Sequence, residues 1–451
     1  MQIQKTRILA GSLRRLLHRN ARGHVTNMLA KMRPPDIARA LLELAERDQI
    51  ALFGILMKES RQRAAETLSN LEPEQAGHVL TALTSSEVSE ILQELQTDDA
   101  AEFISALPPE QAQEVLELMG VKESEEVQGL LQHQDETAGR IMTPNVFALR
   151  EDLTVAEAIN AIQTGTDLEM VFYLYVIDDR NHLVGVVSLR QLLMVPPSTP
   201  LKKIMATDVI SVTTETDQEE VARIVALYDL LGVPVVDAQH RLVGMITVDD
   251  IIDVIQEEAT EDILHLAGVN QDDHIYTSRW DSFKRRIPWL TINMGTVLAA
   301  VQVVAVFEER IQELPYLAVF LPVVAGLGGN AGTQTLTVTV RGLALGEVTW
   351  SSSRSVLLKE LSLGLFNGLT IGLMLGLVGW LLQGEWIFGA VLSLSMLGTL
   401  IFASFVGTLI PITFKKLRVD PAIASSSLLT TATDAVGFFI FLFLASRWLL
   451  S

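Results

Sequence analysis

The carboxylate with the most telling setting is Asp434, which lies in a long apolar run, 421–446, and follows Thr430, Thr431 and Thr433. A charge at the centre of a membrane-length segment costs about 3 kcal/mol or more unless it faces water or a partner, and no Lys or Arg lies near it in sequence. The residue types therefore point to a cation pathway, against the plainer reading of a protonated structural aspartate. Glu313 precedes another apolar run and Asp420, followed by Pro421, opens the last one. Taken singly, each is equally a charge at a helix end; with Asp434 they mark a route. The run 315–342 carries Asn330, Thr333, Gln334, Thr335, Thr337 and Thr339, polar groups that hydrocarbon tolerates only where they face water or one another.

These residues need elements to hold them, and five apolar runs supply them: 287–307, 315–342, 356–382, 386–413 and 421–446. At about 1.5 Å per residue each is long enough to cross a hydrocarbon layer of about 30 Å. Gly326-Leu-Gly328-Gly-Asn-Ala331 satisfies a dinucleotide fingerprint in form, but it lies inside a span and not between a strand and a helix. Those glycines are read as allowing close helix approach or a local unwinding. Gly364, Gly368, Gly372 and Gly376 recur every fourth residue and predict a face against which another helix packs closely. Lys284, Arg285 and Arg286, then Arg341, Arg354 and Lys359, then Lys415, Lys416 and Arg418 fall on one side of an odd-numbered threading. The excess of basic residues predicts a cytoplasmic N-terminus and an external C-terminus.

Charge divides the chain at the same place. From Lys284 onward there are eight acidic and eleven basic residues, which leaves 46 of the 54 acidic and 23 of the 34 basic residues in 1–283. So negative a front repels nucleic acid and attracts divalent cations. The absence of cysteine removes disulfides, thiolate metal sites and cysteine nucleophiles. No phosphate-binding loop, zinc-protease helix motif or nucleophile elbow is present, so an enzyme is not expected. The basic start, Lys5 to Arg22, reads as an ordinary first helix and not as a transit peptide.

Two internal repeats organise the front. Met32-Arg-Pro-Pro-Asp-Ile-Ala38, Leu71-Glu-Pro-Glu-Gln-Ala76 and Leu107-Pro-Pro-Glu-Gln-Ala112 set proline near successive helix starts, which predicts an α-solenoid over 1–130. Arg140-Ile-Met-Thr-Pro144 pairs with Lys203-Ile-Met-Ala-Thr207, and Leu183-Val-Gly-Val-Val-Ser188 with Leu242-Val-Gly-Met-Ile-Thr247. This duplication resembles a tandem CBS pair of α+β modules, 138–198 and 199–255, a sensor type that often binds adenosine nucleotides. Asp249 stands where such modules grip a ribose, but Asp250 and Asp253 beside it favour cations over phosphate. An acidic connecting helix is expected over 256–283, with Glu258, Glu261 and Asp262 crowded on one face. The pore domain follows over 284–451. The fold class is thus multidomain, with an all-α transmembrane domain of five helices at its end.

This order of parts, with Gly328-Gly-Asn330-Ala-Gly332-Thr-Gln334, Val419-Asp420-Pro421-Ala422, Thr433-Asp434 and Glu258-Ala-Thr-Glu261-Asp262, resembles the MgtE family of Mg²⁺ channels along essentially the whole chain. The resemblance implies a homodimer in the cell membrane whose pore runs between subunits. Two copies of Asp434 would hold a largely hydrated Mg²⁺, with Thr430, Thr431, Thr433, Asn330 and Gln334 lining the pathway and Glu313 and Asp420 supporting it. It also implies regulatory Mg²⁺ bridged by Asp98 and Glu102 of the helical domain, Asp217, Glu219, Asp229, Asp250 and Asp253 of the CBS pair, and Glu258, Glu261 and Asp262 of the connecting helix, which acts as a plug. ATP is a further ligand that the CBS pair allows. The chain departs from the family pattern at Ser425-Ser426-Ser427. The alternatives are a carrier of Mn²⁺ or Co²⁺, a solute transporter under nucleotide control, and a membrane-anchored sensor that transports nothing.

Overall fold

The computed structural model describes residues 2–165, 173–270, 273, 277–417, 419–422 and 425–449, and it divides into two compact units, Met1–Ile255 and Gln256–Ser451. In the first unit, ten helices run from Gln2 to Leu131. Proline opens Pro34–Leu42, Pro73–Leu80 and Pro109–Leu118, where its missing N–H costs nothing. From the first helix to the tenth, each packs on the one two places further along, so every hairpin buries its apolar face on the next, as a solenoid does. Leu13, Leu29, Ile37, Leu52, Phe53, Leu56, Leu68 and Leu80 are fully enclosed between them.

The duplicated modules follow. β1 (Ala148–Arg150) pairs parallel with β2 (Tyr173–Ile177), which pairs antiparallel with β3 (Leu183–Ser188). β4 (Val212–Thr213), β5 (Gly232–Val236) and β6 (Leu242–Thr247) repeat the pattern, and the register Tyr173↔Ser188 recurs as Gly232↔Thr247. Helices Val155–Thr164 and Gln218–Tyr228 occupy equivalent places. The paired motifs have a packing reason. Met142 of the first module covers Gly244 of the second, and Met205 of the second covers Gly185 of the first. A Cβ at Gly244 would stand 2.5 Å from Met142 Sδ, and one at Gly185 2.6 Å from Met205 Sδ, so each module needs glycine where the other lays its thioether.

Among the described residues of the second unit, five helices have the length and composition of membrane spans: Arg279–Val306, Tyr316–Ala344, Ser353–Gln383, Trp386–Lys416 and Ser425–Trp448, spans 1 to 5. They lie within a few residues of the apolar runs, except that span 1 starts earlier, capped by Ser278. A short helix, Glu308–Glu313, separates spans 1 and 2. Span 4 is the most enclosed, packing on spans 2, 3 and 5. The glycine stripe of span 3 meets span 4, and a Cβ at Gly372 would stand 2.6 Å from the Ser393 carbonyl oxygen.

The connecting helix differs from expectation. It starts at Val248 as the closing helix of the second module and ends at Leu266, so no single helix fills 256–283. The chain leaves it through Gly268 at φ +70, a left-handed conformation that suits glycine.

Candidate ion pathway and acidic clusters

Span 2 is helical straight through its glycines, which rules out unwinding there. Gly328 instead lets span 4 approach: a Cβ there would lie 2.8 Å from Thr399 Cγ2 and 4.0 Å from Thr433 Cβ. Gly437 touches the same threonine, so spans 2, 4 and 5 cross at Thr399. Around this crossing, span 2 turns Gly328, Gly332, Thr335 and Thr339 inward, and leaves Asn330, Thr333, Gln334 and Thr337 exposed on the opposite face. In hydrocarbon that polar face must meet water or another protein surface.

Asp434 is half-buried next to the enclosed Thr433, and among the described residues no hydrogen bond or ion pair reaches it. Thr431 and Thr433 donate their hydroxyls to the carbonyls of Ser427 and Thr430, at 2.8 and 3.0 Å, which leaves the lone pairs of the hydroxyl oxygens to face an ion or water. Glu313 stands at the end of its short helix with Arg310 Nη1 3.4 Å away. Arg418 and the side chains of Ser425 and Ser426 lie outside the described residues.

Ahead of span 5, Asp420 Oδ1 accepts from the Ala422 N–H at 2.8 Å, and Oδ2 lies 3.0 Å from His265 Nδ1 of the connecting helix. Glu261 Oε1 is 3.5 Å from the same nitrogen. The hydrogen bond to Asp420 raises the pKa of His265, burial working against it and Glu261 with it. Burial, then Asp420, raises that of Asp262. One helical turn earlier stands Glu258.

The first unit holds a separate acidic cluster. Helix Thr97–Ala106 presents Asp98, Asp99 and Glu102 to Asp249, Asp250 and Asp253 at the start of the connecting helix. Thr143 donates to Asp98 at 2.6 Å, and Thr247 donates to Asp250 through both N–H and hydroxyl. Burial raises Asp98 despite the Thr143 bond. Asp99 is pushed up to about 8 by burial, then by Asp98, Asp250, Glu102 and Asp253. Asp250 rises to about 7 for the same first reason and next for Asp98, and Asp253 rises through burial and Asp249. Such a group of acids is short of positive charge, the condition that a divalent cation relieves. Asp217, Glu219 and Asp229 are elsewhere. Asp217 caps helix Gln218–Tyr228 by accepting from the Glu219 N–H at 2.9 Å, and Asp229 ends it at φ +52. The expected regulatory residues are therefore split, with Asp217, Glu219 and Asp229 at the two ends of helix Gln218–Tyr228.

Several residues of these sites escape the sequence reading. Asp99 joins the cluster beside the expected Asp98, facing Asp250 and Asp253, whereas Asp249 already stands out in the sequence. Glu360 of span 3 is 5% exposed, accepting from Thr335 Oγ1 at 3.4 Å with Lys359 Nζ 3.3 Å away. Thr399 Oγ1 is buried with no partner among the described residues.

A family model described as a divalent cation transporter matches residues 321–444, the MgtE intracellular N domain matches 32–136, and CBS domains match 138–198 and 201–257. A magnesium transporter MgtE from Thermus thermophilus is 38% identical over 70% of this chain and 71% of its own length. The chain belongs to the MgtE family. A second MgtE, from Bacillus subtilis, is 36% identical over 71% of this chain and 72% of its own. The crystal structure of the cytosolic domain of the Mg²⁺ channel MgtE in complex with ATP is 36% identical, covering 54% of this chain and 99% of that one at a TM-score of 0.51. With five membrane-length helices, this MgtE-family chain is a multi-pass membrane protein, and a transporter family is not a class of enzyme.

Proposed function

We propose that the chain carries Mg²⁺ across a membrane through a pathway lined by the polar face of span 2 and by Asp434 of span 5, and that two copies enclose it. The observation that carries this is the exposure of Asn330, Thr333, Gln334 and Thr337 on a membrane span, beside a half-buried aspartate that no described cation neutralises. A second copy placed on that face would shelter it from lipid and set two carboxylates on one aqueous path. Mg²⁺ keeps several waters when bound, so two carboxylates and a ring of amide, hydroxyl and carbonyl oxygens suit it as outer ligands. The relatives named magnesium transporter support this ion over Mn²⁺ or Co²⁺.

The threading that puts Lys284 to Arg286, Arg341 to Lys359, and Lys415 and Lys416 in the cytoplasm puts the acidic clusters there too. Closure follows from charge. Mg²⁺ bridging Asp98, Asp99, Glu102, Asp249, Asp250 and Asp253, and Mg²⁺ bridging the connecting helix to Asp420, favours one arrangement over the repelling one. A tenfold preference at each of four sites multiplies to about 10⁴, enough to carry a two-state gate from 1:99 to 99:1. A nucleotide in the CBS pair is a secondary reading, supported by the ATP bound to the related cytosolic domain and opposed by the negative charge around Asp249. Single-channel recording against cytosolic Mg²⁺ tests the gate: open probability falls steeply and cooperatively, and a flat response refutes closure by Mg²⁺.

A further inference from the structure

Glu261, His265 and Asp420 gather one imidazole and two carboxylates whose ligand atoms all lie within 4.8 Å of one another. His265 Nδ1 stands 3.0 Å from Asp420 Oδ2 and 3.5 Å from Glu261 Oε1. Donor atoms about 2.1 Å from a shared ion stand about 3.0 Å apart at right angles and about 3.4 Å apart at the tetrahedral angle. The first separation matches an octahedral edge and the second is close to a tetrahedral one, so a small shift of the side chains brings the three atoms into one coordination shell.

The trio is also held in place. Glu261 and His265 are one turn apart on the connecting helix, the histidine side chain is only 12% exposed, and Asp420 is anchored through its other oxygen by the Ala422 N–H. Asp262 adds negative charge nearby. Lys415, a cation near Asp262, donates to the Leu343 carbonyl at 2.8 Å. The Asp98 cluster and Asp434 offer oxygen alone. Imidazole contributes little to Mg²⁺, which prefers oxygen and retains water, and much to Zn²⁺, Co²⁺ and Ni²⁺.

We propose that Glu261, His265 and Asp420 form a binding site for a nitrogen-preferring divalent ion of the Zn²⁺, Co²⁺ and Ni²⁺ class, which ties the connecting helix to the Asp420-Pro421 segment at concentrations where Mg²⁺ does not. His265 supplies Nδ1 as the neutral imidazole with its one proton on Nε2, the second proton of an imidazolium going to solvent, and each carboxylate supplies one oxygen, with water filling the remaining positions. Binding at the site stands on this geometry; its effect on flux rests on the gating reading above.

The test is calorimetric titration of Zn²⁺ into the full-length protein in detergent, with Mg²⁺ in excess to fill the oxygen-only sites. Wild type binds one Zn²⁺ per chain. His265→Gln and Glu261→Gln each weaken it at least tenfold, and His240→Gln, on an exposed turn of the CBS pair, leaves it unchanged. Thermal unfolding confirms that each variant is folded. In proteoliposomes, Zn²⁺ lowers wild-type Mg²⁺ flux at concentrations at least tenfold below those at which Mg²⁺ itself closes the gate, and His265→Gln, scaled to its own zinc-free rate, loses that sensitivity. Equal Zn²⁺ affinity in wild type and His265→Gln overturns the proposal. Absence of wild-type flux would count against the transport reading, while the titration would still decide this one.

Discussion

Replacing Asp99 with asparagine should tighten the first unit when divalent ions are removed. Asp99 has its carboxyl pushed from 3.8 up to about 8 by burial and by four nearby carboxylates, Asp98 and Glu102 on its own helix and Asp250 and Asp253 on the facing one. Since each tenfold change in proton affinity is about 1.4 kcal/mol, holding its charge at pH 8 costs on the order of 5 kcal/mol relative to an exposed aspartate. Protonation, water and counterions relieve much of that, so the amide recovers about 1–3 kcal/mol, or about 5- to 150-fold in the local opening constant. The Asp99 N–H bond to Asp98 Oδ1, at 3.1 Å, belongs to the backbone and survives the change. Hydrogen exchange of the intact protein reads the effect on helix Thr97–Ala106 and on the start of Val248–Leu266. In chelator the variant should exchange more slowly than wild type there, and the further protection that Mg²⁺ brings should shrink. The pH dependence has a definite sign. A native cluster with raised carboxyl pKa values binds protons more tightly than the unfolded chain, so divalent-free stability falls as pH rises from about 4 towards about 8. The variant flattens that slope, and so does Mg²⁺. Unchanged or faster exchange in the variant would refute the electrostatic argument.

Other outcomes follow from packing and exposure. Gly372→Val drives a side chain into the Ser393 carbonyl across spans 3 and 4, and should destabilise the membrane unit by about 2–4 kcal/mol, read as a lower thermal midpoint in detergent. Because the chain has no cysteine, Asn330→Cys is a unique thiol; it should react with a charged, water-soluble thiol reagent and be protected by Mg²⁺, whereas a lipid-facing Leu373→Cys should not react. Met142→Ala should loosen the first module from the second by about 2–4 kcal/mol, seen as faster hydrogen exchange in β6, because the thioether that fills the space over Gly244 is lost.

Much of this architecture was legible from periodicity. Apolar length located the spans, four-residue glycine spacing marked the face of span 3 on which another helix packs, and duplicated motifs located the modules, though the clasp of their Met and Gly residues shows only in the fold. What escaped the sequence depends on tertiary burial. Asp99 and Asp98 are indistinguishable in sequence, and only the facing helix makes both members of one cluster. Thr399 and Glu360 become notable when they are enclosed, since threonine is common in spans and Lys359-Glu360 reads as a polar flank. His265 carried a signal, four residues beyond Glu261, but its partner Asp420 is 155 residues away. The end of the connecting helix at Leu266 was masked by helix-favouring acidic residues before it, and Gly268 was its one local mark.

The central claim is that ions cross at Asp434, and Mg²⁺ influx into proteoliposomes of wild type and Asp434→Asn tests it most directly. The amide keeps the shape and removes the charge, so with folding and assembly matched by thermal midpoint and size, the account predicts robust wild-type flux and a fall of at least about 100-fold in the variant, since losing a charge in a desolvated pathway forfeits roughly 3 kcal/mol. Equal flux in the two proteins would contradict the account.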